Sequence, residues 1–555
     1  MAKTDDNLTK LWFQVLTSGM VQGTDTSLAK GGQVLKNVTT EEQGNYATRS
    51  GSDLIGASLG TNQGYGLWEY NPTDGTRKLF AVTDRDLYAL NETTNAWASV
   101  DTDEWTVSKK VDGVDFLNRS YIGCESGTDP LCYTTGSAVV DIVPTIGGGI
   151  MAVNKDILVV AGNSILPNVA FYTDPFTDKF HSVTGTCAAN ADVGGTNYLD
   201  ATTGIFTADI EGKIIYNTTE GKMLTIVDWI SSTRILTNGD TSTWDNDTIY
   251  VMKNVAKHDG KITAMEGYQD NFVSFDSRKM YVWDPTSEWS SKYKDYGCIN
   301  DRVLQICGGW LIWVAYDGIY KWNGSGLPED ISKDIKNNVN GFGVWNLINK
   351  SNLLELCAGS KNTEGKYYLS VGTLNTVANA PCSAESNVVL VYDIVNNSWS
   401  YRTYPDQIVA FSTFINDDNE KDLYGICKND AYVIKLDSGT LDDGSTGSTV
   451  AISSEVKLPH HQLVEDPTVT VKMKQYYVKY ICDASVTVSV SVDRGSYTTL
   501  TTLDSSSTVK TIEINPIPNT EGMTFSLKFA TTGKLVLEGY GFLIDTLTTT
   551  RLPKK

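Results

Sequence analysis

Five carboxylates stand in short turns between apolar runs: Asp84, Asp86, Asp276, Asp284 and Asp317. Two carboxylates on opposed loops can hydrolyse a glycosidic bond, one as acid and the other as nucleophile or base. Each also fits an ordinary hairpin turn, as in Tyr316-Asp317-Gly318, and that is the expected role. The four histidines are His181, His258, His460 and His461, and none lies three or four residues from another His or Cys. A shared metal needs such spacing on one element. His460 and His461 are adjacent, and neighbours on extended chain point to opposite faces. No Gly-x-Ser-x-Gly stands in a strand-turn-helix setting, although a Ser-His-Asp arrangement assembled by the fold stays open. Gly147-Gly148-Gly149 lacks the Gly-Lys-Ser/Thr of a phosphate loop and reads as a bend in a strand. The runs Asp101-Thr102-Asp103-Glu104 and Asp245-Asn246-Asp247 lack the EF-hand frame and read as solvated loops. The expectation is a protein with no catalytic residues, no metal and no cofactor, and therefore not an enzyme.

Charge and thiols narrow the class further. The chain of 555 residues carries a net charge of −21. Residues 449–555 hold 11 Lys/Arg against 10 Asp/Glu, so residues 1–448 carry −22. An acidic body does not grip nucleic-acid phosphates, which require basic surface and counterion release. Solubility explains such a charge, and so does a surface to which passing nucleic acid must not adhere. The nine cysteines are odd in number and show no CxxC, and they read as reduced thiols. Cys124 and Cys132, in a Gly/Ser/Asp loop, are the pair placed to bridge. The opening Met1–Asp6 holds no signal-peptide core, and no 18-residue apolar run spans a membrane. Synthesis and folding in a cytoplasm, without membrane insertion, are expected.

The elements that must position these residues are strands. A phrase recurs: an apolar strand, a turn of Asp, Asn or Gly, then an apolar residue followed by Tyr. It reads Leu79-Phe80-Ala81-Val82 to Leu87-Tyr88, and Phe272-Val273-Ser274-Phe275 to Met280-Tyr281. It returns as Leu311-Ile312-Trp313-Val314 to Ile319-Tyr320, and as Leu423-Tyr424-Gly425-Ile426 to Ala431-Tyr432. Val388–Tyr392 leads similarly into Trp399. Tyr281 and Tyr320 are 39 residues apart, and Tyr392 and Tyr432 are 40 apart. A period near 40 with hairpins inside each unit predicts β-propeller blades. The predicted fold is all-β, a β-propeller with a C-terminal β-sandwich. Residues 1–60 read as an extended arm packing on the ring or on a neighbour. Residues 61–440 read as the propeller, with an irregular insertion near 173–220, and residues 449–555 as the sandwich. The boundary is Gly439–Gly447, after which strict alternation appears, as in Val486–Val492. The arm and the insertion cannot bury a core alone, which makes them the candidate intersubunit contacts. The cluster Trp283, Trp289, Trp310, Trp313, Trp322, Trp345 and Trp399 is expected to pack between blades. Sugar stacking on a receptor-binding face is the alternative.

Taken together, the chain resembles the β-propeller virion proteins of short-tailed bacteriophages, the packaged-DNA stabilization or tail nozzle family. Gly31-Gly32, Leu35–Val38, Gly44 and Arg49-Ser50-Gly51 resemble that family's opening arm. Gly297-Cys298-Ile299, Gly308–Trp313, Asp317–Tyr320, Ile331-Ser332 and Ile335 resemble its most recognisable blade. Val391-Tyr392-Asp393 and Asn397–Ser400 resemble the next. The resemblance implies a structural protein of the virion tail, made in the host cytoplasm. It implies a homo-oligomeric ring, commonly of six, seated below the portal and its adaptor. Such a ring retains packaged DNA and forms part of the channel for its ejection, with viral double-stranded DNA passing the lumen without specific binding. The family brings no catalytic residues. The alternatives are a receptor-binding or carbohydrate-recognising tail adhesin and, third, a propeller glycosidase.

Overall fold

Short apolar strands that are buried on both faces must have sheets stacked on both sides. Ile157–Ala161 is buried at every position, and Lys78–Thr83 and Trp310–Val314 at all but the first. Tight turns fold each such strand back on its neighbour. Leu117-Asn118 and Lys155-Asp156 hold positive φ at both residues, the I′ geometry that suits twisted hairpins. A computed structural model describes residues 8–14, 33–40, 45–188, 195, 197–285, 289–336, 343–378, 380, 382–464, 469–517 and 520–546. Gly31, Gly32 and Gly44 of the arm and the opening Met1–Asp6 lie outside the described residues.

Among the described residues, seven four-stranded antiparallel units form the ring. The first begins at Gly64–Tyr70, the second at Val111–Phe116 and the third at Ile150–Asn154. The fourth begins at Ala264–Tyr268, the fifth at Gln305–Cys307, the sixth at Cys357–Lys361 and the seventh at Ile408–Ile415. These opening strands are innermost. Apolar clusters fill each wedge between neighbours, for example Trp68, Phe80 and Ile122 between the first and second blades. Between the seventh and the first lie Val409, Phe414, Tyr424 and Ile426 against Leu67, Leu79, Ala81 and Leu90. The circle is therefore closed by packing. It is also closed by the chain: the fourth strand of the seventh blade is Ser52–Ile55, from the N-terminal arm, paired to Val433–Leu436. The chain is all-β, a β-propeller with a C-terminal β-sandwich.

Two parts differ in extent from the reading of the sequence. The sandwich is not made from residues 449–555 alone. One sheet joins Val471–Cys482, Ser506–Ile514 and Leu535–Thr546 to the arm strands Leu8–Gln14, Val38–Thr40 and Tyr46–Thr48. The other joins Ser454–Lys457, Thr524–Thr531, Val486–Val492 and Thr498–Leu503 to the arm strand Val34–Lys36. That arm strand also pairs in parallel with Ser398–Thr403, the outer strand of the sixth blade. One sheet thus runs from the propeller into the sandwich, and one apolar cluster spans both, from Trp313 and Trp399 to Tyr476 and Phe542. In the arm, Val34, Leu35, Val38 and Tyr46 are buried within their own chain, whereas Trp12 is exposed.

The insertion is larger than 173–220. It separates the third strand of the third blade, Val169–Tyr172, from the fourth, Asn254–Lys257. Between them a six-stranded sheet, from His181–Thr186 to Thr248–Met252, has its own core around Leu199, Phe206, Ile226 and Trp244. The nine cysteines are all buried and free, so Cys124 and Cys132 are not bridged.

Candidate functional site

Turn by turn, the predicted carboxylates are spent locally. Asp84 accepts from Ser108 N at 3.2 Å, and Asp86 from Asp103 N at 3.1 Å. Asp317 accepts from the Tyr320 hydroxyl at 2.7 Å. Asp284 pairs with Lys155 at 3.3 Å, joining the fourth blade to the third. Asp276 accepts from Arg278 N and Lys279 N at 2.7 Å each and from the Tyr281 hydroxyl at 2.9 Å. Each contact lies within a blade or between adjacent blades, and none draws two of the five together. In the acidic runs, Asp101 accepts from Val139 N at 3.1 Å and Asp247 from Asn217 Nδ2 at 2.8 Å.

The fold does assemble a serine, a histidine and an aspartate. Ser274 Oγ lies 2.5 Å from His258 Nε2 and accepts from Trp283 Nε1 at 3.0 Å. Ser274 is fully buried, so no substrate reaches its hydroxyl. Burial pushes His258 down to about 4, against the pull of Asp276 and Asp259. Asp276 is engaged by its own turn and by Tyr281 rather than by the imidazole. The group ties the fourth blade's entering link to its second and third strands. His460 and His461 are likewise buried and pushed down to about 4, His461 with the Tyr540 hydroxyl at 2.7 Å. His181, depressed by partial burial, stands edge-on to Tyr250. Among the described residues no three of His, Cys, Asp and Glu are grouped to hold a metal ion.

Five of the seven clustered tryptophans belong to the apolar cores. Trp283, Trp313, Trp322, Trp345 and Trp399 are buried. Trp313 packs on Phe275 at 5.1 Å and Trp399 on Tyr392 at 4.9 Å. Trp310 is half-buried beneath the Lys321 ammonium, 5.0 Å from its ring. The side chain of Trp289 lies outside the described ones.

Two charged constellations that the sequence did not single out remain. The first lies on the ring axis. Asp112 of the second blade, Glu266 of the fourth and Asp301-Arg302 of the link into the fifth line a cavity of about 80 Å³. That is room for about two or three waters. The surrounding ring pushes Asp112 up to about 7, helped by Asp301, although its carboxylate still meets water. Burial, then Asp112, push Glu266 up to about 7. At the mouth, Lys110 pairs with Glu355 at 3.0 Å, and Arg302 Nη2 donates to Leu354 O at 2.5 Å. Lys110 enters the second blade and Glu355 the sixth, on nearly opposite sides of the circle, so their contact crosses the axis. The Lys110–Glu355 pair thus narrows the passage at this mouth.

The second constellation is where arm, ring and sandwich meet. Arg49, fully buried, donates to both oxygens of Asp442, at 2.9 and 2.5 Å, and to Thr403 O at 2.8 Å. Its Nε donates to Asn37 Oδ1 at 3.0 Å, and its guanidinium lies over the Tyr404 ring. Asn37 in turn donates to Ser453 O at 2.8 Å and to Thr403 Oγ1 at 2.9 Å. Nearby, Asp437 receives Arg402, Lys361 at 3.2 Å and the Tyr368 hydroxyl at 2.7 Å. Burial would raise the Asp437 carboxyl, but Arg402 and Lys361 outweigh it and hold it well below the usual range. Arg49, Lys361, Arg402 and Asp437 line a cleft of about 1110 Å³ between the sixth blade and the sandwich. Asn37 and Arg49 belong to the arm phrase quoted above, but their partners near 440 follow no spacing rule.

No protein-family model matches the chain, and no curated protein matches its sequence. Solved structures do align with it. YCF48 from Cyanidioschyzon merolae shares 9% identity over 70% of this chain and 98% of its own, with a TM-score of 0.35. The Pan2 WD40 domain of Neurospora crassa shares 6% over 71% and 96%, with a TM-score of 0.33. The extracellular domain of BT4673 from B. thetaiotaomicron shares 10% over 86% and 57%, also at 0.33. Likenesses this distant say nothing of activity, and the propeller assignment rests on the strand pairings above.

Proposed function

We propose that this chain is a structural subunit of a short-tailed phage tail, a nozzle or stabilization protein. Copies of it form a ring that retains packaged DNA and conducts it on ejection. The observation that carries the reading is the fusion of two stiff parts into one body. A sheet is continuous from the sixth blade into the sandwich through Val34–Lys36, and Arg49, Asn37 and Asp442 lock the joint. Sheets packed on both faces resist shear, which suits a wall under internal pressure. The Lys110–Glu355 pair across the axis of the single propeller favours a DNA path between copies rather than through one. The −22 carried by residues 1–448 disfavours lasting contact with phosphate. Against the sugar-binding alternative stands the burial of Trp283, Trp313, Trp322, Trp345 and Trp399.

Electron microscopy of the purified protein, or of virions labelled on this chain, tests the reading. Rings with an open central lumen are the expected result. A monomer at micromolar concentration that binds host polysaccharide, or one that releases reducing ends from it, would overturn it.

A further inference from the structure

The strand Leu8–Gln14 occupies a seat built for a separable element. Among the described residues it pairs only with Leu535–Thr546, antiparallel, from Leu8 opposite Asp545 to Gln14 opposite Gly539. On the inner side Phe13 stacks on His461 at 4.6 Å and on Tyr540 at 5.4 Å, with its edge to Phe542 at 5.8 Å. On the outer side Trp12 lies across Gly539 and Gly541, where an added Cβ would come within 3.1 and 2.9 Å of the indole. The host strand thus alternates glycine outward with aromatics inward, Gly539-Tyr540-Gly541-Phe542, to receive one particular partner sequence. Without Leu8–Gln14 the edge at residues 539–545 would be bare, and bare edges recruit strands.

The tether is longer than a seat in the same chain requires. Gln14 ends opposite Gly539, and Tyr46 stands opposite Leu537 on the same edge of the same strand. The chain resumes at Val34, one hairpin from Tyr46. The sequence places 18 residues, 15–32, in that gap, including Gly19, Gly23, Gly31 and Gly32. Fully extended, they reach about 60 Å.

We propose that Leu8–Gln14 is exchanged between copies, each subunit's strand filling the Leu535–Thr546 seat of its neighbour. The occupant is a second copy of this chain, and the contact is head-to-tail, the kind that generates rings. The proposal deepens the ring reading and rests on it. Trp12, 45% exposed on the open strand, then becomes the inter-subunit anchor.

Lys10 and Leu543 face each other across the pair and lie toward the outside of the sheet. Facing residues of neighbouring strands fall within disulfide reach, and the nine native cysteines are buried. Chains carrying Lys10→Cys and chains carrying Leu543→Cys are coexpressed, so that a bond between the two can form only across subunits. The expected result is a disulfide-linked two-chain species on a non-reducing gel, absent when either variant is made alone. Rings that remain intact without that species overturn strand exchange and leave the ring reading standing, whereas monomers alone overturn both. A deletion of residues 1–14 provides the second measurement. It is expected to leave folded monomers and no rings, and rings that survive the deletion overturn the exchange.

Discussion

At the scale of the residue, the strongest commitments are buried charges rather than reactive groups. Asp437 serves three partners from the sixth blade at once, Arg402, Lys361 and Tyr368. Removing one member of a buried charged set strands the others without compensation. Asp437→Ala is therefore expected to destabilise the chain by about 3–5 kcal/mol, read from urea unfolding; a loss within error would mean that the set is idle. The carboxyl is depressed in the folded chain, so its contribution is full above the ordinary carboxylate value. It fades as pH falls below about 4. Asp112 and Glu266 behave oppositely. Each is pushed up to about 7, so the folded chain keeps protons that the unfolded chain releases above about 4. Their effect is a stability that declines as pH rises from about 4 to about 7. Asp112→Asn with Glu266→Gln is expected to raise stability at pH 8 by about 1 kcal/mol, the solvent exposure of Asp112 screening the rest, and to change nothing at pH 4. Melting curves at the two pH values check this, and an equal gain at both would refute the assignment.

At the scale of the element, ring closure depends on four residues, Ser52–Ile55. Leu54 N donates to Asp443 Oδ2 at 3.0 Å, and Leu54 lies opposite Ile434. Leu54→Pro removes that donor and is expected to cost about 1–3 kcal/mol; thermal unfolding that is unchanged would show that the ring closes without this strand. Blade strands were legible where apolar runs alternate with Asp or Gly turns, as at Leu79–Tyr88 and Leu311–Tyr320. The second and third blades were not. Their second and third strands are separated by residues 125–131 and 162–168 rather than by a tight turn, so the phrase is broken. The outer strand of the second blade, Val139–Asp141, is three residues long and mostly exposed. The third blade is interrupted before its last strand by a whole sheet, which breaks any period. The arm strands are three or four residues each apart from the first, too short to carry an alternation signal. Of the charged constellations nothing was legible, because Asp112, Glu266 and Asp301 share an axis and no sequence spacing, and Asp442 sits in what reads as a linker.

At the scale of the whole molecule, propeller and sandwich share a sheet, an apolar cluster and the Arg49 contacts. Cooperative units follow shared cores, so scanning calorimetry of the full chain is expected to record one transition. Two resolved transitions would mean that the joint is weaker than its contacts indicate. The order of manufacture adds a constraint of its own. Ser52–Ile55 pairs with Val433–Leu436, and Tyr46–Thr48 and Leu8–Gln14 pair with Leu535–Thr546. Leu8–Gln14 can take its place only after Leu535–Thr546, more than 500 residues later, has emerged. Through almost all of translation the nascent protein is an unlatched circle trailing a strand that has nothing to hold, and in a cell making many copies at once, another copy's tail is the one available hand.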